Sequence, residues 1–355
     1  MLPSRTIEDD PHMAFFPLEL QVTVVEWVYR HSQSQSDIDY ITLRACALVC
    51  RAWRPIAQRL LFRRVPRQMW HMDESRFYVS MLIDILRTRP HLAAHVRSIY
   101  LAPDPVDIAL LELCPHVAGI TVDIVEDNEL SRMRSLAIPQ DWTQHVQYFN
   151  VIDFTDGIAS IWKMWPGLRA IDIGVFMSPD TLIRVPSGVT ALCFPSQVMS
   201  WIDSPHDSLS ALRDLELYEP KFPDLCASGL LPQLRTLVLH GPLPRTEVLE
   251  QLQQLESLVF NDLPVHDISL PRALRHVGYH YEPNSYYAAP SQKDVSFFVA
   301  ALRVLDDIEL VTVTRLNLLA KTQLALREAC REMDVEFLTY ETPLHFARPR
   351  CVDWI

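Results

Sequence analysis

From about residue 96 onward, apolar and polar residues alternate in short bursts separated by prolines. Leu212-Arg213-Asp214-Leu215-Glu216-Leu217 has the form LxxLxL. The same form returns from Leu234 to Leu239 and from Leu255 to Phe260. Weaker copies begin at Val96, Val117, Val146, Leu168, Val189, Leu274, Leu305 and Val335, so successive starts lie 19 to 31 residues apart. Alternation over the last positions of each copy predicts a short strand with one buried face. One such unit has too little apolar surface to fold alone, so the units are expected to stack and share a core. Two helices interrupt the late repeats. Ser291 to Asp294 has the spacing of a capping box ahead of Val295, Phe298, Val299 and Leu302, and a second helix is predicted over about 315–331. A last strand is predicted at 335–340, with the tail after it capping the array.

The first 94 residues have a helical period instead. Leu20, Val24 and Val28 recur at four-residue spacing behind Pro17, which fits a first helical turn. A polar loop at 31–39 precedes a second helix at about 40–50. A third follows at once, with Trp53, Ile56, Ala57, Leu60 and Leu61 on its apolar face. A linking helix is predicted within 67–94, with Phe77, Met81, Ile85 and their neighbours at helical spacing and Pro90 closing it.

Two motifs in this region resemble the F-box: Phe16-Pro17-Leu18-Glu19-Leu20, and Leu48-Val49-Cys50-Arg51-Ala52-Trp53. The run ends, as in that family, in Leu61-Phe62-Arg63-Arg64-Val65. The likeness covers about residues 15–66 and is strongest to the F-box proteins of mushroom-forming fungi. Phe16 stands where the family has Leu, and the loop at 31–42 is longer than usual. The resemblance implies docking on a Skp-type adaptor, and through it a cullin, by Pro17, Leu18, Leu20, Val24, Leu48, Val49 and Trp53. The later copies resemble leucine-rich repeats. The asparagine of that family, three residues after the last apolar position, is replaced here by Phe176, Gln197, Pro220, Pro242 and Leu263.

The expected fold is therefore α/β: a three-helix F-box followed by a leucine-rich-repeat-like solenoid with a short-stranded parallel sheet. The expected divisions are a tail at 1–14, the F-box at 15–66, a helical linker at 67–94 and the repeat domain at 95–355. Residues between the strand's apolar positions are expected on the concave face, among them Asp214, Glu216, Tyr218, His240, Asn261, His276 and His280. Their mixture of aromatic, histidine and acidic side chains suits a protein target of basic character. No dense arginine cluster falls on that face, which argues against a phosphate reader.

Composition narrows the function classes. The net charge is −12, which disfavours nucleic acid as a target. Seven cysteines lie at irregular spacing with no CxxC pair, so neither a zinc ribbon nor a disulfide framework is expected. Eight glycines form neither GxGxxG nor GxxxxGK[ST], and no GxSxG or HExxH is present. No cofactor, metal or catalytic residue is expected. No apolar run of about 18 residues exists and the start lacks a signal-peptide core, so a cytoplasmic or nuclear location without a membrane span is the expectation. The leading functional expectation is a substrate adaptor of an SCF-type ubiquitin ligase. An interaction scaffold outside any ligase is the alternative, and an unrecognised hydrolase stands third.

Overall fold

A computed structural model of the chain describes residues 20, 22–26, 40–49, 51–65, 75–101, 105–122, 145–154, 162, 165–176, 184–195, 202, 209–218, 222–262, 269–279, 292–314 and 320–340. The chain divides into two compact units, residues 1–62 and 63–355. The second begins earlier than the periodicity predicted, because Arg64–Val65 forms a strand of its sheet.

The first unit contains α1 (22–26), α2 (Tyr40–Val49) and α3 (Trp53–Arg63), the last ending at the boundary. Pro55 sits in the first turn of α3, where a missing N–H removes no helical hydrogen bond. Val25, Leu43, Cys46, Ala57 and Leu60 form the core, with Ala47, Trp53, Ile56 and Leu61 packed around it. Arg59 Nη2 donates to Glu26 Oε1 at 2.9 Å, tying α3 to α1 at the surface.

The second unit is a twelve-stranded, all-parallel sheet in sequential order, a solenoid-like arrangement in which neighbouring strands are neighbours in the chain. The strands are β1 (Arg64–Val65), β2 (Ser98–Leu101), β3 (Gly119–Val122), β4 (Tyr148–Phe154), β5 (Ala170–Phe176) and β6 (Ala191–Pro195), then β7 (Asp214–Tyr218), β8 (Thr236–Pro242), β9 (Ser257–Asp262), β10 (His276–Tyr279), β11 (Leu310–Thr314) and β12 (Glu336–Tyr340). From β2 to β10 each strand starts two residues after the apolar position that opens its sequence copy. The last two copies depart from this: β11 starts five residues after Leu305 and β12 one after Val335.

Three apolar ladders run through the repeats. Val96, Val117, Val146, Leu168, Val189, Leu212, Leu234, Leu255 and Leu274 precede the strands and are all buried. The second strand position gives Ile99, Ile120, Phe149, Ile171, Leu192, Leu215, Leu237, Leu258, Val277 and Val311, also buried. The fourth gives Leu101, Val122, Val151, Ile173, Phe194, Leu217, Leu239, Phe260, Tyr279 and Val313. Each such side chain contributes about 1.5–3 kcal/mol by leaving water. The shared stacking is what makes short strands stable.

The register does not rest on an asparagine ladder. The carbonyl just before each strand instead accepts two N–H groups from the next repeat. Arg213 O accepts from Arg235 N at 2.7 Å and from Thr236 N at 3.1 Å; Arg235 O accepts from Glu256 N at 2.8 Å and from Ser257 N at 3.0 Å. The same fork recurs from Arg97 O to Arg275 O. It satisfies backbone groups that would otherwise be stranded at the turn, and it needs no special side chain.

Around the sheet lie α4 (Ser75–Thr88), α5 (Pro90–Ala93), α6 (Pro105–Leu113), α7 (Phe222–Ala227), α8 (Thr246–Leu249), α9 (Gln292–Leu302) and α10 (Ala320–Glu332). Helix α4 packs against α5 and α6 within this unit. Its buried stripe is Val79, Leu82, Ile83 and Leu86, whereas Met81 is exposed and Ile85 only partly covered. The helix is where that spacing placed it, and the Phe77 side chain lies outside the described residues. Apolar residues occupy both faces of α4, so period alone could not choose between them. Helix α4 ends at Thr88, just before Pro90 as expected, and Pro90 then opens the short α5. On α9, Val295, Phe298 and Leu302 are buried as expected from their spacing.

Candidate binding surfaces

Helix α2 is apolar nearly all the way round, which is what a helix needs only if both of its sides are covered. Leu43 and Cys46 point into the core of the first unit. On the opposite side Ile41 is 83% exposed, Leu48 79% and Val49 63%. Positions 41, 48 and 49 are one helical face, since they lie seven and eight residues apart. Leu20 and Val24 are also exposed, one turn apart on the first helix. Five of the nine large exposed apolar side chains among the described residues thus fall within the first 62 residues. Trp53 is half-buried and packs at the margin of the core. Pro17 and Leu18 lie outside the described residues. Ile41 went unremarked in the sequence, although its spacing from Leu48 and Val49 carried the signal.

The sheet's other face carries the first, third and fifth strand positions. Asp214, Glu216 and Tyr218 pair in register with Thr236, Val238 and His240, and Thr236 and Val238 with Ser257 and Val259. His276 and Gly278 continue the rows on β10. His280 lies outside the described residues. The centre of this face is closed rather than solvated. Glu216 is wholly buried, as are Val238, Val259 and Thr312, and Asn261 is 6% exposed. Asp214, Tyr218, His240 and His276 are partly exposed. A Cβ added to Gly278 would come within 2.9 Å of both Thr312 Oγ1 and Val259 Cγ2, so the row is packed to contact.

Three polar clusters lie in these rows. Tyr148 OH donates to Asp172 Oδ2 at 3.1 Å, and Asn150 Nδ2 donates to the same oxygen at 2.8 Å. Tyr218 OH donates to Glu216 Oε1 at 3.3 Å, and His240 Nε2 lies 2.7 Å from that oxygen. The His240 ring stacks on Tyr218 with centroids 4.2 Å apart, and its Nδ1 lies 3.3 Å from Asn261 Nδ2. With Nε2–H donating to the carboxylate, Nδ1 is left to accept from the amide. Finally, Ser257 Oγ is 2.7 Å from His276 Nδ1, and His276 Nε2 is 2.9 Å from Thr312 Oγ1. A serine hydroxyl beside an imidazole is the beginning of a nucleophile–base pair. Here, however, the imidazole's second nitrogen faces a hydroxyl, not a carboxylate, and Ser257 is buried. These clusters knit successive repeats together across the sheet.

Burial pushes the Cys114 thiol up to about 12 and the Cys330 thiol up to about 11, so both are inert core groups. Among the described residues no group of three His, Cys, Asp or Glu could hold a metal ion, and no helix is long and apolar enough to cross a membrane.

An arginine signal also runs through the repeats. The residue after the opening apolar position is arginine in Val96-Arg97, Leu168-Arg169, Leu212-Arg213, Leu234-Arg235 and Leu274-Arg275. These five stand at the start of their strands, one residue before the paired register. Arg97 Nη1 donates to the carbonyls of Ala94 and Val96, Arg169 Nη1 to that of Gly188, and Arg213 Nη1 to those of Ser210 and Leu212. Arg235 and Arg275 instead approach Glu256 and Glu309, at 3.5 and 3.6 Å. No protein-family model matches the chain, and no curated protein matches it either.

Proposed function

We propose that the chain is a substrate adaptor of an SCF-type ubiquitin ligase. Its first unit docks on a Skp-type adaptor, and its repeat sheet holds a target protein. The observation that carries this reading is the uncovered apolar face of the first unit. A core is already closed by Val25, Leu43, Cys46, Ala57 and Leu60, yet Leu20, Val24, Ile41, Leu48 and Val49 stand in water. A small bundle gains nothing by exposing such a set, and a partner surface accounts for it. Four of the five are positions that the F-box resemblance assigns to the adaptor interface; Ile41 extends the same face. Trp53, at the margin of the core, supports the helix that carries Leu48 and Val49.

The sheet is the complementary half. A sequential parallel sheet is a long, rigid frame, and a target would lie along its partly exposed positions, Asp214, Tyr218, His240 and His276. The chain then acts by proximity: it raises the local concentration of the target's lysines near the conjugating enzyme carried by other subunits, and contributes no catalytic group itself. The test is capture of purified Skp-type adaptor by the full chain. Leu48→Asp is the informative variant, because its side chain lies outside the core. Capture by the wild type and loss in a folded variant supports the reading. Equal capture by both places the interface elsewhere.

A further inference from the structure

The row of arginines at the strand starts is a surface of its own, separate from the face that carries Glu216 and His240. Neighbouring strands of a sheet lie about 4.8 Å apart. Arg213 and Arg235 are on adjacent strands, while Arg169 and Arg275 each stand two strands away from that pair, on either side. The row is therefore a line of positive charge running across the strands. It carries five arginines against two glutamates, Glu256 and Glu309, within a chain whose net charge is −12.

Local partners offset only part of this charge, at Arg235 and Arg275, which lie 3.5 and 3.6 Å from Glu256 and Glu309. Arg97, Arg169 and Arg213 are held by backbone carbonyls, which fix the guanidinium without neutralising it. Among the described residues no carboxylate reaches ion-pair distance of these three. At the start of the row Arg97 also feels Arg63: burial first, and then that like charge, lower its pKa. Fixed guanidinium groups already paid for by folding are pre-organised for carboxylate or phosphate oxygens.

We propose that this edge binds an acidic, extended peptide segment laid across the strands. The arginines stand one, two or three strands apart, about 5, 10 and 14 Å, whereas alternate residues of an extended chain recur about every 6.4–6.8 Å. A segment with an acid at every second position therefore brings a carboxylate near each long arginine side chain without matching their spacing one to one. The site concerns the edge of the sheet and stands whether or not the first unit joins a ligase. Adaptor capture is read with no peptide present, so the two readings fail separately.

The test uses the full chain and a fluorescein-labelled (Glu-Ser)4 peptide, with (Gln-Ser)4 as the neutral control, followed by anisotropy at 50 and 300 mM salt. The expected result is binding of the acidic peptide alone, weakened at least tenfold by the higher salt. Arg169→Glu with Arg235→Glu should weaken it at least tenfold more while leaving the melting temperature unchanged. If that pair lowers the melting temperature, Arg169→Gln with Arg235→Gln gives the same comparison with a milder change. No binding at 50 mM, or equal binding by folded variants, overturns the proposal. Tighter binding of an oligouridylate of equal charge overturns the peptide assignment in favour of nucleic acid.

Discussion

His240 Nε2 lies 2.7 Å from Glu216 Oε1 across two neighbouring strands, and the two side chains are 8% and 0% exposed. A carboxylate so placed is held by hydrogen bonds or not at all. His240→Ala removes the 2.7 Å bond and the ring stacked on Tyr218. It should lower unfolding stability by about 2 kcal/mol or more, read as a drop in the urea midpoint. Glu216→Gln keeps an acceptor for the imidazole and should cost less than His240→Ala. The opposite order would mean that the carboxylate's charge, not its geometry, holds the cluster.

Gly278 makes a second test of the same face. Its neighbours Val259 and Thr312 leave no room for a methyl group. Gly278→Ala should destabilise the second unit by about 1–3 kcal/mol through overpacking, measured by thermal unfolding. An unchanged midpoint would show the centre of this face to be open to a ligand.

The first unit separates two leucines on one helix. Leu43 is buried and Leu48 is exposed. Leu43→Asp buries an unpaired charge and should unfold the unit. Leu48→Asp should change its stability by no more than about 0.5 kcal/mol. Far-ultraviolet circular dichroism of both variants, with urea titration, distinguishes the outcomes. The same pair controls for folding in any binding experiment.

Alkaline pH should destabilise the second unit through its buried thiols. Both thiols have folded-state values raised from 9.0, to about 12 for Cys114 and about 11 for Cys330. Above pH 9 the unfolded chain releases these protons while the folded chain retains them. The unfolded state then binds fewer protons, so stability falls as pH rises, by about 1.4 kcal/mol per pH unit for each thiol. The fall should run from about pH 9 to about pH 11 for Cys330 and on to about pH 12 for Cys114. Urea midpoints of the wild type and of Cys114→Ala with Cys330→Ala, compared at pH 8 and 10.5, isolate this contribution. A pH dependence equal in both would contradict it.

The repeats were legible where the motif was strong. From β7 to β9 the sequence positions of the buried ladders were apparent, because the motif places leucine at every one of them but Phe260. At β11 the turn residues Asp306 and Asp307 intervene between Leu305 and the strand, so the copy was counted from the wrong apolar residue. Strand β1 has two residues and follows a helix directly, and no alternation can announce it. Alternation also placed Glu216 and His240 on one face but not their burial. Their partners sit 24 residues apart in the chain, and only the register brings them together. The arginine row was missed for a different reason: each Leu-Arg pair was read for its leucine alone.

The exposed apolar face of the first unit is proposed as an interface for a Skp-type adaptor. Isothermal titration of that purified adaptor into the full chain tests it most directly. Saturable one-to-one binding with a negative heat-capacity change is expected, abolished in folded Leu48→Asp and unaffected by Gly278→Ala. No heat of binding at any temperature, from a chain whose first unit is folded, would contradict it.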